Sequence, residues 1–152
     1  MALPTISYTR DTPAGYPGMI ATTEPSWITS MIVAAGSGDI APGKAVVYDT
    51  VDDTVKLPTA AGKFAGIAVV DRTLPHSQGN VFKPLDQINV MKGGSIWVAV
   101  TAAVAQGDPV YYVSATGVIT NSATSATLIE NAEFATTTAG AGIARIRLSV
   151  SK

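Results

Sequence analysis

Residues 95–101 read Ser-Ile-Trp-Val-Ala-Val-Thr, a seven-residue run with strict period-two alternation. Ile96, Val98 and Val100 fall on one face, and Trp97, Ala99 and Thr101 on the other. Side chains of a β-strand alternate in this way, whereas a helix would return an apolar residue every three or four positions. The run also favours β-branched residues, whose stiff χ1 suits a pleated surface. A second alternating run, Gly142–Val150 (GIARIRLSV), sets Ala144, Ile146, Leu148 and Val150 against Arg145, Arg147 and Ser149. These two stretches predict strands with one face in a core and one toward a polar surface.

Working outward, shorter runs of the same character occur at Ile28–Ala34, Lys44–Asp49, Thr54–Leu57, Phe64–Asp71, Gln87–Met91, Pro109–Val113 and Gly117–Thr120. The segments GSGD, APGK, VDD, MKGG, QGDP and SATG separate them and carry the residues that turns need. Strands this short and frequent predict an all-β fold, a short-stranded β-sandwich or barrel of jelly-roll-like form. Thr127–Phe134 (TLIENAEF) reads equally as helix or strand. Thr127 and Glu130 fit a capping box, but the β-branched neighbours oppose a helix. Leu74–Gly79 and Asn80–Pro84 are punctuated by Pro75, Gly79 and Pro84 and read as loop.

The chain echoes itself. Ile40–Tyr48 (IAPGKAVVY) aligns with Val104–Tyr112 (VAQGDPVYY), and each copy is followed by a short strand and then by AGIA, at Ala65–Ala68 and Ala141–Ala144. Two related β-hairpin units are expected, too few and too short for a solenoid.

Composition narrows the function. The 152 residues are 47% apolar and only 14% charged, against a usual charged share of about 25%. So little charge hints at surface covered by protein. A net charge of −1 provides no basic field for nucleic acid or an anionic membrane. With no cysteine, disulfides and thiolate metal sites are excluded. The beginning, MALPTISYTRDTP, lacks the charged head and apolar core of a signal peptide, and no apolar run approaches the roughly 20 residues of a membrane helix. A soluble chain of one domain is expected.

Tests for chemistry return little. Gly38–Lys44 (GDIAPGK) matches the phosphate-loop spacing, yet Ala45 stands where a magnesium-holding Ser or Thr belongs, and Pro42 removes an amide donor. A turn into a strand is expected there. His76 is the single histidine, which excludes a histidine metal cluster. Asp49, Asp52 and Asp53 miss the EF-hand spacing and read as an acidic hairpin turn. Glu130 and Glu133 lack the surroundings of a glycosidase pair. Trp27, Trp97, Tyr111 and Tyr112, without basic neighbours, read as packing residues rather than a base-stacking platform. No catalytic residue, metal ligand or cofactor is expected, so the chain reads as a non-enzyme.

Arg10–Pro25 (RDTPAGYPGMIATTEP) mixes Pro and Gly with Tyr16, Met19 and Ile20. Pro4, Pro13, Pro17 and Pro25 hold the first 25 residues extended. We expect an N-terminal arm, residues 1–25, attached to a β-domain of residues 26–152. Extended segments bind by adding a strand to a sheet edge while alternate side chains fill pockets. The candidate partner-binding residues are Leu3, Ile6, Tyr8, Tyr16, Met19 and Ile20. The same segment could instead wrap its own domain as a packing strap, and the sequence leaves both open.

Several stretches taken in order (PAGYPGMIAT, DIAPGKAVVY, KFAGIAVVDR, VFKPLDQINVMKGGSIWVAV, VAQGDPVYY and NAEFATTTAGAGIARIRLSV) resemble the structural cement, or capsid decoration, proteins of tailed bacteriophages. The resemblance runs from about Pro13 to Val150 and rests on the order of the motifs, since each alone is a Gly turn beside a strand. It implies a β-rich protein on the outer surface of the phage head, bound to the major capsid protein and bridging neighbouring capsomers. It also implies a homo-oligomer, a homodimer ahead of a homotrimer, made in the host cytoplasm and carried in the virion, with neither nucleic acid nor membrane as partner. The other function class open to the sequence is a receptor- or carbohydrate-binding β-module of a phage tail or fibre, with Trp27 and the tyrosine pair as sugar platforms.

Overall fold

The strand centred on residues 95–101 is longer than its alternation suggests. In the computed structural model, which describes residues 15–74 and 79–149, it runs as one 14-residue strand, β5 (Gln87–Val100). The sequence divides this stretch at MKGG into a strand at Gln87–Met91, a turn, and a second strand. The structure keeps it continuous, because each half finds its own partners. The first half pairs with β1 (Trp27–Val33) and β4 (Phe64–Ala68). The second half pairs along Gly94–Val100 with β9 (Gly142–Leu148).

β5 is strongly bent between its halves. Val69 N–H donates to Asn89 O, the adjacent Val70 N–H donates to Gly18 O, and Gly18 N–H donates to Trp97 O, all at 2.8–2.9 Å. Eight residues of straight strand would separate positions 89 and 97 by about 26 Å. Val69 bonds position 89 directly and its neighbour Val70 is linked to position 97 through Gly18 alone, which is possible only if the strand curls back. The register shift against β1 at Gly93 and the Gly93–Gly94 pair mark the bend.

The bend lets one strand serve two sheets. β1, β3 (Thr54–Lys56), β2 (Ala45–Tyr48), β4 and the first half of β5 form a ring, which the β1–β5 pairing closes into a small barrel. From the second half of β5 the order continues β9, β8 (Ala126–Phe134), β6 (Pro109–Val113) and β7 (Ile119–Thr120). The expected all-β fold is therefore realised as a barrel with an attached sheet.

Two cores follow. Met31, Val33, Ile40, Val46, Val55, Ala65, Ala68, Phe82, Ile88 and Val90 fill the barrel. Ala45, Val47, Ile67 and Met91, on the barrel's other face, pack against Ile96, Val98, Tyr112, Phe134, Ala144 and Ile146 of the attached sheet. β2 and β4 are thus covered on both faces, which is why they read as continuous apolar runs rather than alternating ones.

The helix-or-strand ambiguity at 127–134 resolves as strand β8. Its first part pairs with β6 and its last part with β9, with surplus residues between Leu128 and Glu133 opposite Tyr111 and Pro109. Asn131, at φ 58°, sits in that bulge. The bulge turns the strand from one neighbour to the other, and its broken period is what resembles a helical pattern.

The internal echo is structural. Lys44 N–H donates to Ala41 O, and Asp108 N–H donates to Ala105 O, closing the same turn in each unit. Gly43 (φ 82°) and Gly107 (φ 91°) hold equivalent left-handed positions. Ile40 and Val104 each make an isolated bridge just before the turn, to Phe82 and Thr138. The AGIA of each unit then pairs antiparallel with its own half of β5. The units are not identical, since β8 intervenes only in the second.

Candidate functional site

Of the six candidate partner-binding residues, Leu3, Ile6 and Tyr8 lie outside the described residues. The structure sets the other three along a strap, residues 15–25, that crosses β5. Gly18 N–H donates to Trp97 O (2.8 Å), Trp97 N–H to Met19 O (2.9 Å) and Ala21 N–H to Ser95 O (2.9 Å). Ile20 bridges to Ile96. Because β9 occupies one edge of this half of β5, the strap must occupy the other.

Tyr16 is half-buried and its hydroxyl accepts from Arg72 Nε (3.1 Å) and Nη2 (2.6 Å). Met19 is half-buried, while Ile20 is exposed. Gly15 lies against the Trp97 indole, and Gly18 against Pro42 and Gly43. The strap thus touches β5, the turn of the first repeat unit and the end of β4 together.

Glu24 fastens its far end. Its carboxylate accepts hydrogen bonds from Ser95 Oγ and from Thr22 Oγ1 (2.8 Å), and Arg147 Nη2 lies 3.9 Å away. Ser95 is a buried polar side chain, and this bond satisfies it. The hydroxyl of Ser95, then that of Thr22, hold the Glu24 carboxyl below its ordinary value, and the Arg147 and Arg145 charges add to this. Hydrogen bonds that exist only to the ionised form favour that form.

The motifs tested for chemistry become structural parts. Gly38–Lys44 enters β2 through the repeat turn, as expected. Asp49 pairs with Lys56 at 2.9 Å across the hairpin from β2 to β3, and Asp53 occupies a left-handed position in its turn (φ 59°). Glu130 and Glu133 are exposed on β8. Tyr112 is buried and stacks on Phe64 at 5.7 Å between ring centroids. Among the described residues no three His, Cys, Asp or Glu side chains gather as metal ligands. No described helix is long and apolar enough to cross a membrane.

What the surface offers is contact area. A groove of about 540 Å³ runs between barrel and attached sheet, lined by Tyr48, Phe64, Lys92, Leu128, Glu130 and Asn131 among others. Trp27 is 54% exposed, Ile32 46% and Leu85 71%, and Ile32 and Leu85 line one shallow hollow. The sequence reading missed Ile32 and Leu85. Leu85 follows Pro84 in a loop and adopts φ 72°, a conformation an L-residue rarely takes. The signal that could have found this surface is the uncharged β1 sequence WITSMIV, which has an outward face to account for.

Comparison with known proteins gives two findings. A family model described as "Structural cement protein (E217 gp24/Pam3 gp6)" matches residues 4–149. A chain from the solved structure "The capsid of Myoviridae Phage XM1" is 21% identical, with a TM-score of 0.75 over 97% of this chain and 98% of that one. At that identity the likeness shows a shared fold. No curated protein matches the chain.

Proposed function

Since the chain belongs to the phage structural cement protein family, and is thus a structural protein of the capsid, we propose that it decorates the outer surface of the head and bridges neighbouring copies of the major capsid protein. The observation that carries this reading is the span of the family match, residues 4–149. That span covers both sheets, the strap and most of the segment before it, so the shared feature is the whole body. The bent β5 supports the role mechanically. One continuous strand ties barrel and attached sheet together, so a load on one passes into the other through backbone hydrogen bonds.

Leu3, Ile6 and Tyr8 anchor the chain on the neighbouring capsid subunit, and the exposed Ile20 adds to the same contact. Tyr16 and Met19 serve the same contact by holding the strap against Arg72 and β5. The protein acts as a homodimer. Modest interfaces suffice, because once one footprint is engaged the second binds at the high effective concentration set by the first.

Thermal release of DNA from heads with and without the protein tests the role. Heads carrying it should release DNA at higher temperature, and equal temperatures would contradict cementing. Copy number by mass spectrometry of virions should be near that of the major capsid protein. A few copies per particle would point to a tail component instead.

A further inference from the structure

β1 has a half-used edge. One side pairs with β5 from Trp27 to Ile32. On the other side β3 meets only Ile32 and Val33, through Ile32 N–H to Asp53 O (2.9 Å) and Ala34 N–H to Val55 O (2.8 Å). Val33 N–H points the opposite way, to Asp86 O. Successive residues of a strand alternate edges, so the N–H and C=O of Ile28 and Ser30 face the side that β3 does not reach. No described residue bonds them there.

Open edges are normally blunted with charge, proline or a covering element. Trp27–Val33 carries neither charge nor proline. Exposed apolar side chains mark both ends, Trp27 at one and Ile32 with Leu85 at the other.

We propose that this edge joins two copies of the chain, β1 lying antiparallel to β1 of the second copy about a two-fold axis through Thr29. The free groups fix the register. With Ile28 opposite Ser30 of the second copy, and the reverse, all four free N–H groups of the pair find all four free C=O groups. Shifting so that Ile28 faces Ile28 forms two bonds within β1 and sets Ser30 against Ser26, which lies outside the strand. Shifting so that Ser30 faces Ser30 brings Ile32 opposite Ile28, but the Ile32 N–H is already committed to Asp53. The chosen register also lays Trp27 across from Met31, beside the hollow of about 390 Å³ that Met31, Ile32 and Leu85 help to line. An uncharged edge whose donors and acceptors complement themselves when inverted fits a second copy better than a charged partner. This deepens the dimer reading given above, and it is tested on the purified full chain without capsids, so either can fail alone.

In this register Thr29 faces its twin as a non-hydrogen-bonded pair, with Cα atoms about 4.5 Å apart, inside the range a disulfide spans. The chain has no cysteine, so Thr29→Cys makes a single-thiol protein. Under mild oxidation it should convert largely to a covalent dimer on a non-reducing gel. Ile28→Cys and Ser30→Cys should lag at least tenfold, because each sits about 7–8 Å from its own twin. Light scattering should give the wild type twice the 15.6 kDa chain mass, and Ser30→Pro, which removes an edge donor, should be monomeric. A monomeric or trimeric wild type, or Thr29→Cys cross-linking no faster than Ser30→Cys, overturns the proposal. So does a monomer whose Ile28 and Ser30 amides resist hydrogen exchange, which would mean residues 1–14 of the same chain cover the edge.

Discussion

Replacing Gly18 with Ala should loosen the strap, and the structure sets the scale. Gly18 has φ +84°, a conformation that costs an L-residue with a Cβ roughly 1–2 kcal/mol. Its new methyl would stand 2.6 Å from Pro42 Cβ and 2.8 Å from Val70 N. The second contact is with backbone that is itself bonded to Gly18 O, so it cannot simply rotate away. Overpacking of this kind costs about 1–3 kcal/mol, and the sum is roughly 2–5 kcal/mol. For a chain of this size each kcal/mol shifts Tm by about 2–4 °C, so a fall of roughly 4–20 °C is expected. The loss is capped by what the docked strap contributes, because beyond that point the strap detaches. Hydrogen exchange at the Trp97 amide reads detachment directly, since that amide donates to Met19 O. A Tm within about 1 °C of wild type, with the Trp97 amide still protected, would refute the view that the strap is part of the fold.

The repeat turns should respond unequally to the same change. At Gly107 an added Cβ meets nothing within 4 Å, whereas at Gly43 it comes 2.9 Å from Gly18 N and from Pro17 Cβ. Gly107→Ala should therefore cost only the left-handed penalty, about 1–2 kcal/mol, and Gly43→Ala distinctly more; equal Tm values would contradict the placement of the strap on the first unit. Acid should weaken the protein. Glu24, Asp49, Asp71 and Asp108 are all held below their ordinary values of 4.5 and 3.8 by hydrogen bonds, from Ser95, Lys56, Thr73 and Asn121 respectively. A depressed carboxyl contributes stability that is fully present above its unfolded pKa and is lost as pH falls through its folded one. Tm should stay level from neutral pH to about 5 and then decline. Glu24→Gln should flatten part of that decline, and an unchanged acid slope would exclude Glu24 as a contributor.

The sequence by itself determined the strands with one face in water. Ile96, Val98 and Val100 in β5 and Ala144, Ile146 and Leu148 in β9 are buried as their alternation requires. A period of two has a single solution once one face is apolar. It also determined the turns that open each repeat unit, because Gly43 and Gly107 stand where only a left-handed residue closes the bend. The absence of a charged field and of cysteine was equally legible, being a matter of counting. Tertiary structure decided what depends on partners far away in the chain. MKGG reads locally as a turn, yet β1, β4 and β9 hold both sides of it in one strand. TLIENAEF became strand because β6 and β9 each took one end of it. The strap was undecided for the same reason. Tyr16, Met19 and Ile20 signal something to bury, but the positions they meet, Arg72 and Ser95–Trp97, lie more than 50 residues away. Local pattern fixes which face of a segment wants cover, and only the closed arrangement of the sheets fixes what covers it.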